Sequence, residues 1–270
     1  NGILDGARDA IRVLGDDARV GVAPHSLRAV PAGLLRDVAE LPGPKHIHVA
    51  EQVREVEEVR AHTGTTPVRH LAASLSLSSD WTLIHATHAD QHEFALMADA
   101  GANVGLCPIT ESNLGDGLFD AVSFLGAGGM FGVGSDSNIR ISLVEELRTL
   151  DYGQRLLGRV RNPLSGASQS SGRRLWSEAA KGAARALHRG SGEIAVGSLA
   201  DLVALNGSTL ALDGLDGDTL LDAHIFAGDD GAVSDVWAAG RHVVREGEHR
   251  ARSQIERAFR ATLQKLRASV

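Results

Sequence analysis

Three apolar-leaning runs in this chain each end on a side chain that can bind a metal or carry a proton. Lys45-His46-Ile47-His48-Val49 delivers His48, with Glu51 three residues on; Trp81-Thr82-Leu83-Ile84-His85 delivers His85; Met130-Phe131-Gly132-Val133-Gly134-Ser135-Asp136 delivers Asp136. Helix-like segments separate the runs, so the pattern is βαβα with short strands and crossover helices of 10–15 residues. That alternation predicts a parallel α/β sheet. Functional side chains gathered after strands are what the C-terminal face of a TIM barrel carries. An open doubly wound sheet is the structural rival, but no G-x-G-x-x-G follows any strand, so a dinucleotide site has no support.

Other segments extend the series. Residues 3–14 and 31–39 have helical spacing, and residues 19–24 between them read as a buried strand that delivers His25-Ser26-Leu27-Arg28. Val53, Val56 and Val59 form one face of a helix stopped by Gly64. Asp90 with Glu93, and Ser142 with Glu145, have capping-box spacing. Residues 102–107 read as a strand, 118–126 as a helix, 161–173 as a polar loop and 175–188 as a helix. Beyond Gly190, short strands at 192–197, 200–205 and 235–244 predict a small β unit (191–250), closed by a helix at 253–267 in a terminal segment of 251–270. Residues 1–190 form the first domain.

The bulk numbers set limits on partners. Net charge is −7 and the 27 Lys+Arg form no basic block, so no nucleic-acid or anionic-membrane partner is expected. No run of about 18 apolar residues is present, which predicts no membrane span. A single cysteine, Cys107, excludes an intrachain disulfide framework and fits a reducing, cytoplasmic setting. It reads as a small buried apolar residue, not a nucleophile. The first residues carry no initiator Met and no signal-peptide pattern, and the chain is expected to begin inside a larger protein.

The residue types point to metal binding and proton transfer. An imidazole such as His48 holds a divalent ion, and a carboxylate beside it, Glu51, passes protons to a reacting group. Each has an ordinary reading as well: a hydrogen-bonded core histidine for His48, a helix-start carboxylate favoured by the dipole for Glu51, a polar strand end for His85, and a turn aspartate for Asp136. His46 is expected behind the site or in packing.

The segments His25-Ser26-Leu27-Arg28-Ala29-Val30, His46 to Gln52, His85-Ala86-Thr87-His88, Leu106-Cys107-Pro108 with Asn113-Leu114-Gly115-Asp116-Gly117, Gly134-Ser135-Asp136-Ser137 and Gly197-Ser198-Leu199-Ala200-Asp201-Leu202 together resemble amidohydrolase-superfamily deaminases, most closely the formimidoylglutamate deiminases. They cover nearly the whole chain. The substrate assignment rests chiefly on the His-Ser-Leu-Arg segment. The resemblance implies a distorted (β/α)₈ TIM-like barrel holding one divalent metal, most often zinc, plus a β-sandwich built from both chain ends. Strands four to eight would be present here, with His48 on strand five. The His-x-His pair of the family's first strand would lie upstream, leaving the isolated chain without it and inactive.

In the roles this resemblance implies, His48 ligates the metal and Asp136 ligates it weakly while accepting a proton from the attacking water. Glu51 shuttles the proton to departing ammonia and His85 orients the water, with His88 as a competing candidate. His25 and Arg28 bind substrate, the guanidinium fork of Arg28 matching a carboxylate. Glu111 and Asn113 line the pocket without assigned roles. The implied reaction is hydrolysis of N-formimino-L-glutamate to N-formyl-L-glutamate and ammonia, a step of histidine breakdown. The alternatives are another deaminase of the superfamily, such as one acting on guanine, or a non-catalytic truncated homologue. A small carboxylate-bearing substrate is the expected partner, and a homodimer is left open.

Overall fold

The computed structural model describes residues 2–136 and 140–269. Two sheets organise it. The first carries β1 (Lys45–Val49), β2 (Trp81–His85), β3 (Asn103–Leu106) and β4 (Met130–Val133), in that order and parallel throughout. The second is antiparallel, in the order β5 (Leu202–Leu205), β6 (Val233–Ala238), β7 (Arg241–Arg245) and β8 (Glu248–His249).

Helices α1 (Gly2–Ile11) and α2 (Ala32–Ala39) precede β1. Then α3 (Val53–Thr63) and α4 (Pro67–Ser74) cross to β2, α5 (Gln91–Asp99) crosses to β3, and α6 (Pro108–Leu114) and α7 (Ala121–Gly126) cross to β4. After β4 come α8 (Leu143–Gly158) and α9 (Ser171–Ala186). Helix α10 (Gly217–Phe226) lies between β5 and β6, and α11 (Arg252–Ala268) closes the chain. Among the described residues no helix is long and apolar enough to cross a membrane.

The core sits between the parallel sheet and its crossover helices. Ile47 and Val49 of β1, Trp81 and Leu83 of β2, Val104 and Leu106 of β3 and Phe131 of β4 are all buried there. Against them pack Leu71 of α4, Phe94 and Met97 of α5, and Phe124 of α7. Phe94, Phe119 and Phe124 meet edge to face at centroid distances of 5.3–5.6 Å, the geometry that aromatic quadrupoles favour. Strand alternation sends His46 and His48 to the opposite face from Ile47 and Val49. There α9 closes on β4 so tightly that a Cβ on Gly182 would stand 1.9 Å from the Phe131 carbonyl oxygen. The same helix end accepts hydrogen bonds from His46 Nε2 at the Ala186 carbonyl (2.8 Å) and from Asn103 Nδ2 at the Gly182 carbonyl (3.2 Å). His46 is therefore an anchor to α9.

Several local expectations hold. Gly64 ends α3 in the left-handed conformation (φ 77°), and Asp90 with Glu93 forms a reciprocal capping box. Ser142 caps α8 through the Glu145 N–H, but Glu145 turns its carboxylate to Arg140 instead of completing a box.

Other expectations need correction. Residues 19–24 do not form a buried strand. They run parallel to β1 through two isolated bridges, Val22 to Lys45 and Ser26 to His48, and of residues 19–28 only Ser26 is buried. The segment pairs on one side alone, and Pro24 has no N–H to give a ladder. Residues 192–197 form turns instead of a strand, with Gly192 and Gly197 at positive φ. Helix α9 starts at Ser171, four residues earlier than its apolar spacing suggests, because Ser170 caps it. Helix α1 stops at Ile11 and buries nothing.

Candidate active site

The strand ends converge because the backbone leaves the pleat there. Ala50 (φ 51°), His85 (φ 68°), Ala86 (φ 50°) and Asp136 (φ 49°) all adopt left-handed φ just after β1, at the end of β2 and after β4. Non-glycine residues rarely do so unless surrounding contacts hold them. Those contacts are present: Ala86 N–H donates to the Val49 carbonyl (3.0 Å) and His88 N–H to the Ala50 carbonyl (2.9 Å). In the β1–β2 register Val49 pairs with His85, so pleating alone would put His48 and His85 on opposite faces. The left-handed turn ends the pleat at His85, and its ring lies beside that of His48.

Three imidazoles result in a row. His25 and His48 have ring centroids 5.0 Å apart, and His48 and His85 stack at 5.7 Å. His48 N–H and Nδ1 both reach the His25 carbonyl, at 3.0 and 2.8 Å. With the proton on Nδ1, the Nε2 lone pair of His48 is left for a ligand, the arrangement usual in metal-binding histidines. His25 Nδ1 lies 3.1 Å from Ser26 Oγ.

Glu51 is aimed at this row. Its Oε1 is 3.6 Å from His85 Nε2. The loop that carries it is fixed by Glu55, a buried residue of α3 whose carboxylate accepts the N–H groups of Ala50 (3.0 Å) and Glu51 (2.9 Å). On the far side of the ring, His85 Nδ1 is 3.2 Å from Glu111 Oε1, and that oxygen also accepts the Cys107 N–H (3.0 Å). Burial is the largest influence on His85 and pushes its pKa down. The Glu111 hydrogen bond and the charges of Glu51, Glu111 and Asp136 outweigh it, so the pKa lies above the ordinary imidazole value.

Asp136 is exposed and near enough to His85 to add to that upward push. Ser137, the last residue of the Gly134-to-Ser137 segment, lies outside the described residues. Arg28 is exposed on the segment beside β1, and among the described residues no carboxylate pairs with it. Cys107 is buried and its thiol is pushed far up, chiefly by desolvation and by the charge of Glu111, which makes it a poor nucleophile. The His88 ring lies against Gly117.

Among the described residues no three His, Cys, Asp or Glu converge as a complete metal cage. His48 and Asp136 are donor types that zinc accepts. Glu55, Glu111 and Glu146 were not singled out for roles by sequence pattern. Each accepts backbone N–H at a strand end or a helix start, a partner that residue spacing does not reveal.

Residues 1–243 match the sequence profile of the amidohydrolase family. Formimidoylglutamate deiminase of Pseudomonas aeruginosa is 46% identical over 244 residues, covering 89% of this chain and 54% of that protein. A 5-methylthioadenosine/S-adenosylhomocysteine deaminase of Archaeoglobus fulgidus is 32% identical over 193 residues, covering 68% and 44%. Among solved structures, an amidohydrolase from Brucella melitensis superposes with a TM-score of 0.92 at 45% identity, over 98% of this chain and 59% of that one. A zinc-bound adenosine deaminase from Xanthomonas campestris shares the fold, with a TM-score of 0.85 at 24% identity over 99% and 61%. The chain thus spans between 44% and 61% of the length of these proteins.

Proposed function

This chain belongs to the amidohydrolase family, and on that premise we propose that it carries the proton-transfer and substrate-binding half of a metal-dependent site that hydrolyses N-formimino-L-glutamate to N-formyl-L-glutamate and ammonia. The observation that carries this reading is the row of His25, His48 and His85 with Glu51 pointed into it. The identity to a formimidoylglutamate deiminase, higher and wider than that to the purine-nucleoside relatives, supports the substrate. The parallel sheet supports strands five to eight of a (β/α)₈ barrel, with the residue 22–26 segment as the remnant of strand four. The antiparallel sheet supports a part of the accompanying β-sandwich.

In this reading His48 and Asp136 contribute to holding one divalent ion, for which zinc is the candidate. When bound, such an ion lowers the pKa of water towards neutrality and so supplies a nucleophile. Water adds to the formimino carbon, and the carbon–nitrogen bond to the terminal nitrogen then breaks. Glu51 takes the proton of the attacking water and delivers it to that nitrogen, which departs as ammonia. His85, placed between Glu51 and Glu111, orients the attacking oxygen. Asp136 takes the second proton of the water as the carbonyl forms and passes it on through Glu51, so the terminal nitrogen gains two protons in all before it leaves as ammonia. Arg28 grips a substrate carboxylate with its two-pronged guanidinium, and His25 faces the formimino group. A cytoplasmic setting is proposed from the lone, buried, free Cys107, and a small dicarboxylate is the partner.

The test is ammonia release by the zinc-loaded full-length protein offered formiminoglutamate, S-adenosylhomocysteine and guanine. The expected result is turnover of formiminoglutamate alone, with Glu51→Gln lowering kcat by about 10²–10⁴ and leaving KM within a few-fold. Turnover of a purine substrate would transfer the site to the rival deaminases, and no turnover would favour a non-catalytic homologue.

A further inference from the structure

Glu111 has no place in the chemistry above, yet it is the closest carboxylate to His85. It is 4% exposed, and its Oε1 sits 3.2 Å from His85 Nδ1, itself on a ring 1% exposed. A buried carboxylate is costly unless its oxygens are matched. Here the same Oε1 accepts the Cys107 N–H, so one oxygen ties the imidazole to the start of α6.

The helix behind it is pinned on two further sides. Ile109 N–H donates to Glu146 Oε2 of α8 at 2.9 Å, and Thr110 Oγ1 donates to the Ser135 carbonyl, one residue before Asp136, at 3.3 Å. Three successive residues, 109, 110 and 111, thus reach α8, the end of β4 and the end of β2. An ionised carboxylate only accepts, so Nδ1 of His85 must donate to it.

We propose that Glu111 is the positioning residue for His85, holding a proton on Nδ1 so that Nε2 is the nitrogen turned to Glu51 and the reacting atoms. This rests on the function proposed above for the use made of His85, though not for the state of the ring. A neutral imidazole free of such a partner mixes its two tautomers, and the rings protonated on Nε2 then present the wrong group to the water. Glu51 contacts the opposite nitrogen and His48 only stacks, so neither sets Nδ1. Gln at position 111 keeps an acceptor oxygen for both Cys107 and His85, whereas Ala keeps none.

The test reads the ring directly. Nitrogen-15 spectra of histidine-labelled full-length protein, recorded where the ring is neutral and assigned by the signal lost in His85→Asn, report which nitrogen is protonated. The expected result is a proton on Nδ1 in wild type and in Glu111→Gln, and loss of that preference in Glu111→Ala. With formiminoglutamate, kcat of Glu111→Ala should fall on the order of 10²-fold at little-changed KM, and Glu111→Gln should recover most of it. A wild-type His85 protonated on Nε2 would overturn the proposal even if no variant folds. So would a Glu111→Ala protein with wild-type ring signals. Ammonia release absent from wild type, with Nδ1 still protonated, would instead count against the substrate reading and leave Glu111 in its place.

Discussion

Arg28 is exposed and has no carboxylate partner among the described residues, and its replacement separates binding from chemistry. Arg28→Met should raise KM for formiminoglutamate about 10- to 100-fold, the loss of a charge-assisted hydrogen bond worth about 1.5–3 kcal/mol, with a smaller change in kcat. Steady-state kinetics check this, and a kcat loss at constant KM would contradict the binding role. At this scale the sequence showed a good deal. His48, His85 and Asp136 stood out because each ends an apolar run, where a polar side chain needs a reason. Glu55, Glu111 and Glu146 stayed hidden, because acids on short amphipathic helices read as solvent-facing. Only the turn geometry shows that their carboxylates fold inward onto backbone N–H groups.

Elements carry two further expectations. Glu146 of α8 is 2% exposed, with Oε1 buried and without a hydrogen-bond partner among the described residues. Desolvation, opposed in part by the Ile109 N–H and reinforced by Glu111, Glu145 and Asp136, pushes its pKa up to about 7. A carboxyl raised from the ordinary value of 4.5 binds its proton more tightly folded than unfolded. Its stabilising contribution is complete below pH about 4.5 and is lost as pH rises through about 7, a difference of up to about 3 kcal/mol. Chemical denaturation across that range should show Glu146→Gln with a flatter pH dependence than wild type; identical slopes would contradict the assignment. Gly182→Ala would force a Cβ into the Phe131 carbonyl and separate α9 from β4. A destabilisation of more than about 3 kcal/mol is expected, readable as a fall in denaturation midpoint.

The element pattern was legible where periodicity and caps agreed, as at β1, β2, α3 and α5. It failed at residues 19–24, whose composition is that of a strand but which have a neighbour on one side only. It also missed α10, where a helix lies within a stretch of turn-forming residues.

At the scale of the molecule, the parallel sheet aims one end of each strand at a common region, and the antiparallel sheet with α11 lies apart from it in the chain. In the sequence the change from crossover helices to closely spaced strands comes after Gly190. A complete metal cage could not be read from the chain and is not formed by its described residues. The isolated 270-residue chain should therefore bind zinc weakly and substoichiometrically, as metal analysis after gel filtration would show.

Anomalous scattering at the zinc edge, from crystals of the zinc-loaded full-length protein, reaches the central claim most directly. The expected map has one peak about 2.0–2.2 Å from both His48 Nε2 and an Asp136 oxygen, with Glu51 and His85 flanking it. A peak ligated by neither residue, or no peak beside the imidazole row, would contradict the claim that these strand ends serve one ion.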